Sequence, residues 1–436
     1  MARSEVLSVY IEDISPRASW VLRLIFEDLL GLKLSLTDDS TLLSIPGKTV
    51  LNYSAAETPH LLSITPYGLL SETDLKPQDV RMSQYEGLPV FFPTGDGDLP
   101  FDPFSMIFYL VSRYEEYLPF KADGHGRFPH TESLAYKEGF LKLAIVNRLA
   151  LKLKGLLLQK FPDLVCNCPD YRFIPTIDVD IAFAHLGKGF VRTYGAMAKL
   201  LLKGNIKEIG KRIRTMQGKA EDPYDNFDLL LSLFSKYSLD PVFFILAGNP
   251  GPFDRNLSLK NKLFAGLLIK LSESAELGVH PSYGAGHDHG KIKNEIDRIE
   301  AVTGKKVSKS RQHFVRMRFP ETYEGLLHNG ILEDYSMGYA SMSGFRAGIA
   351  SPFRFYNLRN DEETSLIVHP FIFMDTTLDD YMKLDPKDYP AAVVPLIEEV
   401  KAVNGTLIAI WHNYALADDV QKHKAFKDIM KTASRI

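Results

Sequence analysis

Seven short apolar runs spread over residues 169–436 constrain this chain more than any other feature of its sequence. Longer helix-like or loop segments separate the runs, which are RFIPTIDVD, DPVFFILAG, ELGVHPSY, SRQHFVRM, ILEDYSMGY, SLIVHPFIFMD and GTLIAIWHN. Strands that alternate with helices predict parallel β-α units. We therefore predict an α/β protein with a distorted, seven-stranded (β/α) barrel. Polar residues at the carboxyl ends of the strands are expected to face an active site.

The first 168 residues have a different pattern and predict a separate N-terminal α+β domain. Short strand-like runs are followed by a helix signal, in which Asp102 suits the N-cap and Pro103 the first helical position. Apolar residues recurring every three or four positions predict a long closing helix over 138–160. The boundary falls in FPDLVCNCPDYR, whose two cysteines are interpreted as ordinary thiols. The predicted domains are therefore 1–168 and 169–436.

Composition excludes several classes of function. The chain has 45% hydrophobic and 24% charged residues and a formal net charge of -3, so it has material for a core but no basic field for nucleic acid. It contains no uninterrupted apolar stretch of about 18 residues, which predicts no membrane span. The N-terminal segment does not resemble a signal peptide, so a cytoplasmic location is expected. The sequence leaves the oligomeric state open.

One segment departs from this balanced charge. Residues 187–224 form a basic, helix-prone insertion after the first run. The simplest interpretation is a solvated amphipathic hairpin, and a substrate lid is the alternative.

Two aspartates end the first run. Asp178 and Asp180 are two residues apart, so on an extended strand both carboxylates point to the same side. Two like charges that close need a cation or a proton between them. A divalent metal bound by one carboxylate, with the other kept as a base, satisfies that need.

The order of these motifs resembles the polysaccharide deacetylase family, the chitin-deacetylase-like carbohydrate esterases with a NodB homology domain. The resemblance rests on TIDVD, then PVFFILAG, then GVHPSY, then an arginine-bearing run, and last a run ending in WHN. It covers about 260 residues of the C-terminal region. Upstream, FDPFSMIFYLVSRYEEYL and DGHGRFP resemble the N-terminal module of a bacterial subgroup of these proteins.

The resemblance implies a metal site and a catalytic base. Asp178 would be the base, and Asp180 and His280 would be metal ligands. The family's second histidine should fall at Gly284, which has no side chain to ligate, so the usual set of ligands is broken here. We predict His287 as the replacement. Two further histidines stay open as alternatives, namely His289 and His185.

The remaining site residues come from later runs. Arg311 lies where the family places an arginine that orients the base, with Arg316 and Arg318 as competitors, and His313 is one more candidate ligand or substrate contact. The resemblance implies His412 as the general acid, because the family's acid comes in the last barrel strand, and His369 is its rival. Further candidates could line the pocket. The predicted substrate-binding residues are Tyr283, Arg346 and Trp411, with Asp334 and Tyr335 as other candidates.

These residues predict a metal-dependent hydrolase that removes N- or O-linked acetyl groups from a carbohydrate. The expected cofactor is a divalent metal, zinc first, with cobalt, nickel or manganese as alternatives. Three other hypotheses stay open. The barrel could bind a glycan without turning it over, it could hydrolyse a cyclic amide or imide without a metal, or the N-terminal region could be a protein-interaction module.

Overall fold

The computed structural model describes residues 6–56, 58–95, 97–286, 288–417 and 419–435. Within these residues, no helix combines the length and the apolar character needed to cross a membrane.

The N-terminal region contains a small parallel sheet flanked by helices. Its four strands lie in the order β2-β1-β3-β4, and a two-stranded antiparallel hairpin, β5-β6, follows along the chain. The strands are β1 (Val6–Ile11), β2 (Lys33–Thr37), β3 (Val50–Tyr53), β4 (Leu62–Ser63), β5 (Ser83–Tyr85) and β6 (Leu88–Val90). The helices are α1 (Pro16–Arg23), α2 (Pro103–Val111), α3 (Leu134–Lys137) and α4 (Ile145–Lys160).

The C-terminal region is built on a larger sheet of nine strands. The strands are β7 (Arg172–Val179), β8 (Val242–Ile245), β9 (Glu276–Val279), β10 (Lys309–Ser310), β11 (Glu333–Asp334), β12 (Phe353–Asn357), β13 (Glu362–Val368), β14 (Phe373–Met374) and β15 (Thr406–His412). The helices are α5 (Gly189–Leu202), α6 (Ile206–Met216), α7 (Phe227–Lys236), α8 (Lys262–Ser274), α9 (His289–Thr303), α10 (Glu321–His328), α11 (Tyr389–Ala402) and α12 (Val420–Ala433).

The strand order is β12-β13-β11-β10-β9-β8-β7-β15-β14. All neighbours are parallel except β12 and β13, which form an antiparallel pair. Each of the seven apolar runs overlaps at least one of these strands, the fourth run only at Ser310, and the mixed α/β class is confirmed. The sixth run spans parts of two strands with different neighbours. β13 pairs with β11, whereas β14 pairs with β15. Closure of the sheet into a barrel stays a prediction.

Of two predictions about the N-terminal helices, one is confirmed and one is wrong. The Asp102 side chain accepts hydrogen bonds from the backbone N–H groups of Phe104 and Ser105, so its N-cap role is confirmed. The closing helix begins at Ile145 and not at residue 138. Gly139 has a φ of 75°, a left-handed conformation that ends the preceding short helix and that glycine adopts without strain.

The two regions pack tightly against each other. One hydrophobic core cluster contains residues from both, and the Trp20 ring lies 5.2 Å from the Tyr356 ring. A buried ion cluster also joins them, because the Glu116 carboxylate accepts hydrogen bonds from both Arg113 and Arg346. All three charged side chains are nearly inaccessible to solvent. The predicted boundary at residue 168 therefore crosses an extensively packed interface, and the boundary itself stays a prediction.

We expect the Glu116→Gln variant to lose about 3 kcal/mol of the free energy of unfolding, measured by urea denaturation. The change leaves two buried guanidinium groups without their shared carboxylate. Asp297→Asn is the matched control, because Asp297 pairs with Lys293 on the exposed surface of α9 and its loss should leave stability unchanged. Equal stability of the two variants would contradict the structural role of Glu116.

Candidate active site

The first feature of the site is an arginine–carboxylate pair at the carboxyl end of β7. Asp178 lies in this strand opposite His412 of β15, and its side chain is buried. Arg311 Nη1 donates a hydrogen bond to Asp178 Oδ1 at 2.9 Å and another to Thr176 Oγ1 at 2.6 Å. Arg311 Nε donates to the carbonyl of Tyr335. The guanidinium is thus fixed on several sides and holds the Asp178 carboxylate in place through a charge-assisted hydrogen bond.

The second feature is a group of three imidazoles around Asp180. His280 Nε2 lies 3.2 Å from Asp180 Oδ1, and Nε2 of both His313 and His412 lies 3.5 Å from Asp180 Oδ2. The Asp180 side chain is 13% exposed and adjoins a cavity of about 160 Å³. The cavity is lined by Arg127, Asp178, Asp180, His280, Gln312, His313, Phe314, Val315, Ala340, Met374, Thr376, Asp380, Tyr381, His412 and Tyr414.

Each of these imidazoles is oriented through its other ring nitrogen. His280 Nδ1 lies within hydrogen-bond distance of the Arg311 carbonyl. A carbonyl only accepts, so Nδ1 carries a proton, and Nε2 is the ring nitrogen that faces Asp180. His313 Nδ1 pairs with Asp254 at 2.9 Å, and His412 Nδ1 with Asp375 at 2.7 Å. Partners of this kind fix the orientation and tautomer of ligating histidines.

The carboxylates give the site an affinity for positive charge. Burial alone would lower the pKa of His313, but Asp180 and Asp254 outweigh burial and raise this pKa to about 9. Burial also opposes the charge of His412, yet Asp375, Asp180 and Asp178 raise its pKa to about 10. Burial tends to raise the pKa of Asp180, and the facing histidines hold it well below its usual range. A proton or a cation is therefore favoured between these groups.

Three of these residues fit a metal ion. Asp180, His280 and His313 each offer one ligand atom, and these three atoms lie within 4.8 Å of one another. Asp180 Oδ1 is buried and accepts no hydrogen bond from any described residue. Two imidazole nitrogens and a carboxylate oxygen are donors that suit zinc and neighbouring divalent transition metals. The donor set and the orphaned oxygen both fit a bound cation.

The structure brings together six of the residues named from sequence, counting His313, which was a candidate ligand or substrate contact. Asp178, Asp180, His280 and His412 line the same cavity, and Arg311 bonds Asp178 directly behind it. The predicted third ligand, His287, lies outside the described residues. Among the residues that are described, the third member of the group is His313, which comes from the end of the neighbouring strand.

The three predicted substrate contacts lie elsewhere. Among the described residues, the cavity walls do not include Tyr283, Arg346 or Trp411. Tyr283 stacks on Phe253 with ring centroids 4.2 Å apart. Arg346 is committed to the buried ion cluster with Glu116, and Trp411 is 1% exposed.

Among the described side chains, the other alternative candidates from the sequence also do not line the cavity. Arg316 lies over the Tyr283 ring, and Arg318 is exposed. The His369 ring stacks on Tyr335, and its Nε2 lies 2.9 Å from Glu333, at the start of β11. Asp334 bonds Ser310 and Ser336. His185 lies in the segment between β7 and α5.

Sequence analysis missed three residues that support the site. Asp375 follows β14 and accepts hydrogen bonds from both the backbone N–H and the imidazole of His412; its position at the end of the sixth apolar run was an available signal. Asp254 lies in a loop after β8, where periodicity gives no signal. Arg127, from the N-terminal region, lines the cavity and donates a hydrogen bond to the carbonyl of Phe314, next to His313.

Comparisons with known proteins add a partial family match. The model of a family of unknown function, DUF7033, matches residues 7–162. No curated protein matches the chain.

Solved structures of deacetylases are similar to the chain, all with TM-scores below 0.5. A Mycobacterium smegmatis protein assigned as a polysaccharide deacetylase has a TM-score of 0.37 and 15% identity, over 62% of this chain and 85% of its own. A CE4 family pseudoenzyme from Bacillus anthracis has a TM-score of 0.30 and 11% identity, over 60% of each chain. A polysaccharide deacetylase from Bacillus cereus has a TM-score of 0.28 and 12% identity, over 60% of this chain and 85% of its own.

Proposed function

We propose that the protein is a metal-dependent hydrolase that removes acetyl groups from a carbohydrate. One observation carries this proposal. Three imidazole Nε2 atoms converge on Asp180 in a cavity that the Asp178 carboxylate also lines, while each Nδ1 is held by another group. A base, an acid and a set of metal donors within one cavity are the parts that acyl hydrolysis needs.

Asp180, His280 and His313 are the residues that would hold the metal. When bound there, a divalent metal would supply Lewis-acid polarisation of an acyl oxygen and would lower the pKa of water. Zinc is the first expectation, with cobalt, nickel or manganese as alternatives.

Asp178 is proposed as the general base. The hydrogen bond from Arg311 to Oδ1 aims the second oxygen of the carboxylate, Oδ2, toward His280 and the cavity. In this role Asp178 takes a proton from the water molecule that adds to the acyl carbon. Arg311 does not face the substrate in this proposal; it positions the base.

His412 is proposed as the general acid. Its Nε2 faces the cavity and its Nδ1 is held by Asp375, so a protonated ring has one N–H free to reach a leaving group. As the bond to the acyl carbon breaks, His412 donates that proton to the departing nitrogen or oxygen. The products are acetate and the free amine or alcohol of the carbohydrate.

Aromatic walls support a carbohydrate as the substrate class. Phe314, Tyr381 and Tyr414 line the cavity beside the polar centre, and the Tyr381 side chain is 43% exposed. Aromatic rings present flat apolar faces of the kind that pack against sugar rings. The motif order described under sequence analysis points to the same class of substrate.

We further propose that the large sheet closes into the seven-stranded barrel. The segment from β13 to β14 is the support, because His369 N–H donates to Asp334 of β11 whereas Ile372 N–H donates to Ile408 of β15. One continuous segment thus bonds strands near both ends of the sheet. Counted as one, β13 and β14 make seven parallel strands, with β12 as an added antiparallel edge. The domains are proposed at 1–168 and 169–436.

Acetate release tests the proposed function directly. The protein is stripped with a chelator, reloaded with zinc, cobalt, nickel or manganese, and incubated with N-acetylated and O-acetylated oligosaccharides. We expect acetate from at least one class of substrate, abolished by the chelator and restored by metal. Binding of the oligosaccharides with no acetate from any metal-loaded form would favour a glycan-binding protein. Chelator-resistant hydrolysis of a cyclic imide would favour the metal-independent alternative.

A further inference from the structure

A helical hairpin projects from the C-terminal region immediately after the aspartate-bearing strand. We define the basic hairpin as residues 187–219, which contain α5 and α6. Its base is clamped, because the Asp222 carboxylate accepts hydrogen bonds from the backbone N–H groups of Ala184, His185 and Leu186 at 2.7–3.0 Å. The hairpin is thus a fixed part of the fold, and its two ends are held together at the stem.

The basic hairpin exposes large apolar side chains that a solvated hairpin would not need. The most exposed are Phe190 at 75%, Val191 at 84%, Leu202 at 90% and Ile206 at 71%. The others are Tyr194, Leu201, Ile213 and Met216. Contiguous exposed apolar surface of this kind is characteristic of binding surfaces.

These side chains are organised on one face of α5. At 100° per residue, Phe190, Val191, Tyr194, Leu201 and Leu202 fall within a sector of about 120°. The buried residue of this helix, Thr193, lies outside that sector. The apolar face therefore points away from the body of the protein.

The charge of the basic hairpin is opposite to that of the chain. Residues 187–219 contain nine lysines and arginines and one acidic residue, whereas the whole chain has a net charge of -3. On α5, Arg192 and Lys199 both lie beyond one edge of the apolar sector, the edge farther from the buried Thr193. A helix with an apolar face bordered by lysine and arginine matches the chemistry of an anionic lipid surface, where the apolar side chains enter the headgroup boundary and the cations meet phosphate groups.

A second copy of the chain fits this surface less well. Two basic hairpins packed face to face would bring like charges together and would oppose association. Nucleic acid would use the cations but would leave the apolar sector unexplained. Charge complementarity together with the apolar face therefore favours a bilayer.

We propose that the basic hairpin docks the protein on the surface of membranes that contain anionic lipids. Docking buries the apolar face of α5 and the exposed apolar residues of α6 at the level of the headgroups, without a membrane-spanning segment. This surface is independent of the proposed hydrolase activity.

Vesicle flotation tests this proposal with the full-length protein. We expect it to bind vesicles of phosphatidylcholine with 30 mol% phosphatidylglycerol at least tenfold more tightly than vesicles of phosphatidylcholine alone, and to bind more weakly at high salt. The double variant Val191→Gln/Leu202→Gln should lower binding by about 100-fold, because two apolar side chains no longer enter the headgroup boundary. Lys203→Gln/Lys207→Gln should lower it by about tenfold.

The matched control is Leu263→Gln/Ile269→Gln, which alters two half-exposed apolar residues of α8, outside the basic hairpin. It should bind vesicles as the unaltered protein does. Circular dichroism checks that every variant keeps its fold, and acetate release from soluble substrates is measured in parallel. Equal binding to neutral and anionic vesicles would overturn the proposal. So would unchanged binding of the Val191→Gln/Leu202→Gln variant, or a dimer in solution that this variant dissociates.

Discussion

The Asp178→Asn variant is expected to release acetate about 10³–10⁴-fold more slowly than the unaltered protein while still binding its metal. An amide has nearly the shape of a carboxylate but cannot take a proton from water. Because Asp180, His280 and His313 form the proposed metal group without Asp178, the metal should stay bound. The measurements are kcat for acetate release and metal content after dialysis.

Asp385→Asn is the control for this change. Asp385 is an exposed carboxylate that caps a short turn before α11 and is not one of the residues that line the cavity. It should leave kcat and metal content unchanged. If Asp178→Asn lost its metal together with its activity, Asp178 would be a ligand and the assignment of the base would be wrong. Full activity of the variant would remove the acid–base mechanism altogether.

The strands were the most predictable part of this fold. Apolar residues in strands buried by flanking helices leave a clear pattern, and six of the seven runs contain most or all of a strand, whereas the fourth shares only Ser310 with β10. β12 was missed, since the segment that contains it, FRFYN, alternates with polar residues as an edge strand does. The start of α4 was missed because Gly139 interrupts a helical pattern through its backbone conformation, which periodicity does not record.

The site was predictable where it follows strand geometry. Asp178 and Asp180 were expected to share a side, and both line the cavity. The same rule separates Trp411 from His412, because adjacent residues of a strand point to opposite sides. Trp411 accordingly packs against Phe426 of α12. Its prediction as a substrate contact neglected this alternation.

His313 could not be placed in the same way. It lies beyond the end of β10, in a turn where Phe314 and Val315 have φ values of 59° and 53°. Non-glycine residues seldom adopt this left-handed region, and such strain is concentrated at functional sites. The bond from Arg127 to the Phe314 carbonyl helps to hold the turn, and this contact crosses from one region of the chain to the other. Local sequence does not encode it.

The second large effect that we expect is a loss of zinc affinity when the third metal ligand is replaced. We expect His313→Gln to lower zinc affinity by at least about 100-fold, because loss of a ligand should cost more than the 10–100-fold typical of losing a residue that only orients one. His287→Gln should leave zinc affinity unchanged. Isothermal titration calorimetry on the stripped proteins measures both affinities and the stoichiometry, without any need for turnover.

Two controls separate ligation from folding. His369→Gln replaces another buried histidine, one that pairs with Glu333 outside the cavity, and should retain zinc. Thermal unfolding of the stripped proteins shows whether His313→Gln is folded before metal is added. A folded His313→Gln protein that binds zinc as tightly as the unaltered chain, together with loss of zinc in His287→Gln, would restore the ligand predicted from sequence. The opposite result would mean that the ligand missing at Gly284 is supplied from the end of the neighbouring strand and not from the loop that follows His280.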